Sequence, residues 1–289
     1  MQFCIEEQID PFHPSPNETI EFLHRLFMSG KADDTGLAYS SLGTARSALS
    51  AIATIDNVPA GQHPLVCKFM KAVFNQRPAL PRNTITWDIA LVLDHIKSML
   101  PSEQLHIHQL SQKLVVLMLI LSGQRGQTIH MLDTADMTMT QDYVSFRVHS
   151  LLKTSRPGHH ATELSFPSYP IDSKLCVVQT LRTYLSKTKP FRNNETRLFI
   201  ATKPPYAAVS RDTIRRWTKQ IMVASGIDMN VFTPHSTRSA STSKAASKLS
   251  LETILKTAGW SQPSTFQTYY NKPIRPQHSF AEAVLQTDS

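Results

Sequence analysis

The feature that most constrains this chain is an apolar run, Leu114 to Leu121, inside a glycine- and proline-free stretch from Leu110 to Ser122. The stretch reads as a helix, and a helix apolar on nearly every face has to be buried by other elements. The run is also far shorter than the roughly 20 residues a membrane span needs. The chain is therefore expected to build a domain around one interior helix.

Other segments supply candidates for its neighbours. Pro16 to Phe27 places Ile20, Leu23, Leu26 and Phe27 at helical spacing, and Ser41 to Ile55 and Leu65 to Phe74 are similarly apolar. Loop-like stretches, GKADDTG and NVPAGQHP, separate them. Asn75 to Arg82 carries two prolines and two arginines without periodicity and reads as an inter-domain linker. Beyond it, helices are expected over 88–99, 110–122, 175–187, 210–225, 234–248, 251–258 and 264–270. Tyr143 to Lys153 and Thr162 to Phe166 alternate like strands around a turn at Ser155 to Gly158. The pattern predicts a mainly α protein with a small antiparallel β-sheet: a helical domain over 1–76, a linker over 77–84, and an α+β domain over 85–289 ending in a tail.

Charge points to the partner class. The net charge is +8 and the pI about 9.4. Residues 1–84 hold seven Lys and Arg against eight Asp and Glu, so the excess, +9, lies wholly in the remainder. A basic domain of this kind favours a polyanion such as nucleic acid. Three widely spaced cysteines (Cys4, Cys67, Cys176) argue against a disulfide framework or a Cys-x-x-Cys zinc site and suit a reducing compartment. Twelve histidines occur without the spacing of a metal motif, so no metal or other cofactor is expected. The N-terminus, MQFCIEEQIDPF, lacks the basic-then-apolar pattern of a secretory signal, and neither membrane association nor a small-molecule substrate is expected.

The most informative segment is FTPHSTRSASTSKAA, Phe232 to Ala246. Thr233 is placed to cap a helix, with Pro234 in its first turn. His235 and Arg238, three apart, then share one face of that turn, where an anion is already favoured. Downstream, AGWSQPSTFQTYYNKP (Ala258 to Pro273) offers Gly259 as a helix stop, Trp260, and the pair Tyr269 and Tyr270. Upstream, SGQRGQT places Arg125 at the end of the apolar helix. Taken singly, each of these has a plain structural explanation: a helix-start histidine, a surface arginine, a core tryptophan, packing tyrosines.

In this order the residues resemble the tyrosine recombinase (phage integrase) family, whose pattern is an arginine after a buried helix, a lysine on a β-hairpin, H-x-x-R, a His or Trp after glycine, and then a tyrosine. Arg125, Lys153, His235, Arg238, Trp260 and the Tyr269/Tyr270 pair occupy those positions. The wording SGQRGQT, LLKTSRPG, HSTRSASTSKA and GWS-x-x-STF-x-x-YYNKP is most similar to recombinases of DIRS/Ngaro-type retrotransposons. Two departures matter. Gln127 stands where many members have a glutamate after the first arginine. The spacing of nine from Trp260 points to Tyr269, whereas the retrotransposon-type wording points to Tyr270; we take Tyr270 as the nucleophile and Tyr269 as the alternative.

The resemblance implies a DNA strand-transferase that needs neither metal nor ATP. Tyr270 attacks phosphorus to give a 3′-phosphotyrosyl link; Arg125, Arg238, His235 and Trp260 stabilise the transition state; Lys153, with Arg156 a near competitor, protonates the leaving 5′-oxygen. It also implies a DNA-clamping N-terminal core-binding domain, contacts to duplex DNA through residues such as Arg46, Arg82, Arg156 and Lys244, a homotetramer on two synapsed sites, and a nuclear location. Three other readings remain at this point: a domesticated, catalytically silent DNA-binding protein, a nicking-closing topoisomerase, and a helical interaction module with a basic surface.

Overall fold

The computed structural model describes residues 2–29, 36–78, 83–152, 155 and 163–274. The backbone divides into two compact units, Met1–Arg82 and Asn83–Ser289.

The first unit contains α1 (Gln2–Glu6), α2 (Pro16–Ser29), α3 (Tyr39–Ile52) and α4 (Pro64–Gln76). Local chemistry sets where α2 begins. The Ser15 N–H donates to the Glu18 carboxylate at 2.7 Å and the Glu18 N–H donates to the Ser15 hydroxyl at 3.3 Å, so two orphan donors are satisfied reciprocally. Leu23, Phe27, Leu42, Val66, Met70 and Val73 form the core of this unit. Arg77 packs back onto it, lying 4.2 Å over the Phe27 ring and donating to the carbonyls of Phe27 and Leu37. One expectation is corrected here. The helix read to Ile55 stops at Ile52, and Thr54–Ile55 (β1) pairs antiparallel with Val58–Pro59 (β2). Asp56 and Asn57 both take positive φ, 49° and 62°, which is the two-residue hairpin turn that Asp and Asn tolerate.

The second unit is built on the apolar stretch. Helix α5 (Ile89–Ser98) leads to α6 (Ile107–Ser122), in which every residue from Leu110 to Ile120 is buried. Even Lys113 lies inside, its ammonium donating to the Ser102 hydroxyl at 2.9 Å. A short α7 (Gly126–His130) precedes three antiparallel strands in the order β3 (Met137–Met139), β4 (Tyr143–Arg147), β5 (Glu163–Pro167). Helices α8 (Val177–Thr188), α9 (Arg211–Ala224), α10 (Thr237–Ala246), α11 (Leu251–Ala258) and α12 (Pro263–Tyr269) follow. Helices α8, α9 and α10, with β5, surround α6. The molecule is thus predominantly helical with small antiparallel sheets. Among the described residues no helix is long and apolar enough to cross a membrane.

Two further expectations change. The strand read over 143–153 is hydrogen-bonded only to Arg147, and Met137–Met139, whose alternation is only three residues long, joins as a third strand. The turn at Ser155 to Gly158 lies, apart from Ser155, outside the described residues. The helix expected over 234–248 opens as a 3-10 turn at Pro234–Ser236, and α10 proper starts at Thr237. Thr233 does not cap through its side chain. Its carbonyl instead accepts from both the backbone N–H and the hydroxyl of Ser236.

Candidate active site

The end of α6 fixes the first component. Gly123 closes the helix in the left-handed conformation, φ +59°, and a Cβ there would sit 3.0 Å from the Thr242 methyl of α10. Glycine is therefore required twice, for the turn and for the close approach of α10. The chain then turns so that Gln124 crosses to the α11 end, donating to the Thr257 carbonyl at 2.7 Å and accepting from Thr128 at 3.2 Å. Arg125 follows as the residue preceding α7 and is half-buried.

Arg238, in the first turn of α10, is only 1% exposed. One nitrogen, Nη2, donates to the Ala258 carbonyl at 2.7 Å; Nε and Nη1 are buried without a partner. The guanidinium stacks 4.1 Å from the centre of the Trp260 ring and 5.3 Å from that of Tyr270. Burial, reinforced by the neighbouring positive charge of Arg125 and opposed by Tyr270, pushes its pKa down to about 9. Among the described residues no ion pair involves either arginine. A buried guanidinium thus feels the charge of a second, half-buried arginine, and neither is paired with a carboxylate among the described residues. That is an unfavourable arrangement for a fold and a favourable one for an anion.

Gly259 ends α11 at φ +69°, and the next residue, Trp260, packs beneath the guanidinium with its indole N–H buried and unpartnered. Helix α12 is anchored by Phe266, its one buried side chain among the described residues, which lies 5.6 Å from Trp260. The two tyrosines then part company. Tyr269 is 65% exposed. Tyr270, just past the helix end, turns inward: its ring lies 4.6 Å from Trp260, and its hydroxyl shares a hydrogen bond of 3.3 Å with His235 Nε2. A phenol, an imidazole, a guanidinium and an indole therefore meet at one place, drawn from α10 and the ends of α11 and α12, and the Arg125 charge at the end of α6 acts on that guanidinium.

Of the residues the sequence singles out, His235, Arg238, Trp260 and Tyr270 are in mutual contact, and Arg125 acts on Arg238 through its charge. Lys153 and Arg156 lie outside the described residues, as does Arg82. Lys244 is exposed in the last turn of α10, and Arg46 is half-buried on α3 of the first unit. Of the other basic residues in that unit, Arg25 is tied to Glu7 and Glu21, while Lys68 and Lys71 are exposed on α4. Three contributors were not anticipated. Gln124 ties the Arg125 loop to α11. Trp87 donates its indole N–H to the Ser236 hydroxyl at 2.8 Å and so braces the turn that carries His235. Arg211, Arg215 and Lys219 form an exposed basic stripe on α9, and Arg215 and Lys219 border a cavity reaching Phe232, Thr233 and Pro234. The i, i+4, i+8 spacing of that stripe was legible; only the folded chain shows that it adjoins the site.

Comparisons with known proteins give a consistent picture. Residues 91–274 match the model of the phage integrase family. No curated protein matches the chain. Among solved structures, the Tn1549 transposon integrase in complex with transposon right-end DNA superposes with a TM-score of 0.61 at 14% identity, over 93% of this chain and 83% of that one. The XerH site-specific recombinase, in a post-cleavage complex with a palindromic difH substrate, gives 0.59 at 12% identity, over 88% of this chain and 68% of that one. A lambda integrase dimer bound to a COC′ core site gives 0.51 at 17%, over 92% and 67%. These likenesses are of fold.

Proposed function

Because the chain belongs to the phage integrase family, we propose that it is a site-specific DNA recombinase that breaks and rejoins strands through a covalent tyrosyl ester, with Tyr270 as nucleophile. The observation that carries this reading is the buried, uncompensated guanidinium of Arg238, set beside Arg125 and facing a phenol already hydrogen-bonded to an imidazole.

The chemistry follows from those groups. A phosphodiester resists attack because its charge repels the nucleophile. Arg238 and Arg125 can each present a planar fork of donors to the non-bridging oxygens, and Trp260 adds an N–H. These groups are positioned before reaction, so their stabilisation of the transition state costs little reorganisation. His235 is placed to take the phenolic proton as Tyr270 attacks phosphorus. The phenol turns off the guanidinium it now covers as the phosphate enters. The product is a 3′-phosphotyrosyl link and a free 5′-hydroxyl, with Lys153 protonating the leaving oxygen. The ester conserves the bond energy, so the reverse attack by a 5′-hydroxyl rejoins DNA without ATP.

In this reading residues 1–76 form the core-binding domain, 77–84 the linker and 85–289 the catalytic domain. The α9 stripe, Lys244, Arg82, Arg156 and Arg46 contribute phosphate contacts. The active species is a tetramer on two synapsed sites, with the tail after Pro276 contacting a neighbour. The motif wording resembles that of DIRS/Ngaro-type elements, and on that resemblance we propose mobile-element integration in the nucleus as its setting.

Trapping on a nicked suicide substrate tests the reading. The wild-type chain and Tyr269→Phe form a covalent DNA adduct, and Tyr270→Phe and Arg238→Ala do not. An adduct that survives Tyr270→Phe but is lost in Tyr269→Phe overturns the choice of nucleophile. No adduct from any form, with DNA binding intact, leaves a silent DNA-binding protein.

A further inference from the structure

Tyr270 is held by its backbone as well as by its ring. Its carbonyl accepts two hydrogen bonds, from the Ser239 hydroxyl at 2.9 Å and the Ser243 hydroxyl at 2.7 Å. Both serines lie on α10, four residues apart and so on one face, and Ser239 directly follows Arg238. The Ser243 oxygen also accepts from the Lys272 N–H at 3.0 Å. The next residues are tied to the start of the same unit, with the Lys272 ammonium donating to the Asn83 carbonyl at 2.7 Å and the Thr86 N–H donating to the Pro273 carbonyl at 2.9 Å.

This is not the ordinary behaviour of helical hydroxyls. A Ser or Thr inside a helix usually bonds back to the carbonyl four residues earlier. Thr242, between the two serines, does so, donating to the Arg238 carbonyl at 2.7 Å. Ser239 and Ser243 turn outward and converge on one carbonyl, which has a lone pair for each. Helix α12 has seven residues and a single buried side chain among those described, too little packing to fix its end by itself.

We propose that Ser239 and Ser243 are positioning residues for the nucleophile: they clamp the Tyr270 backbone onto the helix that carries Arg238. Phosphate-binding guanidinium and attacking phenol then belong to one rigid piece, and only side-chain rotation separates the covered state from attack. The inference rests on Tyr270 being the nucleophile. Near-attack geometry is sensitive to displacements of about 1 Å, so loosening the clamp acts on the chemical step and leaves DNA affinity alone.

The test measures single-turnover adduct formation by the full chain at saturating nicked substrate, together with DNA affinity and thermal midpoint. Ser239→Ala and Ser243→Ala each slow adduct formation roughly fivefold to tenfold, the scale of one lost hydrogen bond, and the double variant more. DNA affinity and the pH profile stay as in wild type, and Ser243→Thr, which keeps the hydroxyl, recovers most of the rate. A double alanine variant with the wild-type rate overturns the inference. So does a loss of rate matched by a loss of DNA affinity and not restored by threonine. Absence of any adduct from the wild-type chain sinks the recombinase reading itself, and this inference with it.

Discussion

Arg238→Met removes a buried cation while keeping an unbranched side chain able to lie on Trp260. The guanidinium is 1% exposed, has two unpartnered nitrogens and sits beside a second arginine. A pKa lowered to about 9 from the ordinary guanidinium value disfavours the charged form by roughly 5 kcal/mol at neutral pH. Against this stand a cation–π stack of about 2 kcal/mol and one charged hydrogen bond of about 2 kcal/mol. The methionine variant is therefore expected to be no less stable than wild type at pH 7 and without DNA. The sign with pH is definite. A cation whose folded pKa is depressed penalises the fold fully below that pKa, and the penalty fades as pH climbs through about 9 towards the unfolded value. The stability of wild type relative to the variant should thus rise between pH 7 and pH 10. Paired thermal melts measure it, with adduct trapping showing the activity lost. A variant less stable than wild type by 1 kcal/mol or more, at pH 7 and without DNA, would refute the reasoning, because the guanidinium would then be an asset to the fold rather than a site held ready for an anion.

Further predictions rest on other parts of the structure. Gly123→Ala places a Cβ in a left-handed turn and against the Thr242 methyl; a loss of about 2 kcal/mol in urea unfolding is expected, and a loss below about 0.3 kcal/mol would contradict the packing described. Gln124→Ala removes the hydrogen bonds to Thr257 and Thr128 and costs about 2 kcal/mol, with adduct formation falling further than DNA affinity; equal losses in both would show that Gln124 acts on the whole domain. Burial first, with Lys174 adding to it, pushes the Lys113 pKa down to about 8, so wild type should gain stability relative to Lys113→Met as pH rises above about 8; a pH-independent difference in melts contradicts this. Truncation after Pro276 should weaken assembly on DNA, read by light scattering of the complexes, and unchanged assembly removes the tail from the interface.

What the sequence disclosed here, and what it withheld, follows from the range of the interactions. The interior helix was legible because burial on all sides leaves an apolar run. His235 with Arg238, and Trp260 after Gly259, were legible because a helix start and a helix stop are local events with local signatures. Tyr270 could be separated from Tyr269 only by wording, since the last residue of a short helix and the one after it differ in direction, and direction depends on what α12 packs against. Gln124, Trp87 and the serine pair were not legible. Their partners lie 133, 149, 31 and 27 residues away, and an ordinary Ser or Gln gives no sign of which carbonyl it will meet. The hairpin at Asp56 and Asn57 did carry a turn signal, but the helical pattern of the preceding residues masked it. The capping role given to Thr233 failed because Ser236 competes, folding back on the Thr233 carbonyl and drawing the first turn into a 3-10 form.

The central claim is that Arg125, His235, Arg238 and Trp260 surround one scissile phosphate within reach of the Tyr270 phenol. Its most direct test is to digest the covalent complex formed on a nicked substrate and locate the nucleotide-bearing residue by tandem mass spectrometry. Nucleotide mass on Tyr270, and none in a parallel digest of Arg238→Met, is the predicted result. Nucleotide mass on Tyr269 or on any other residue contradicts the account.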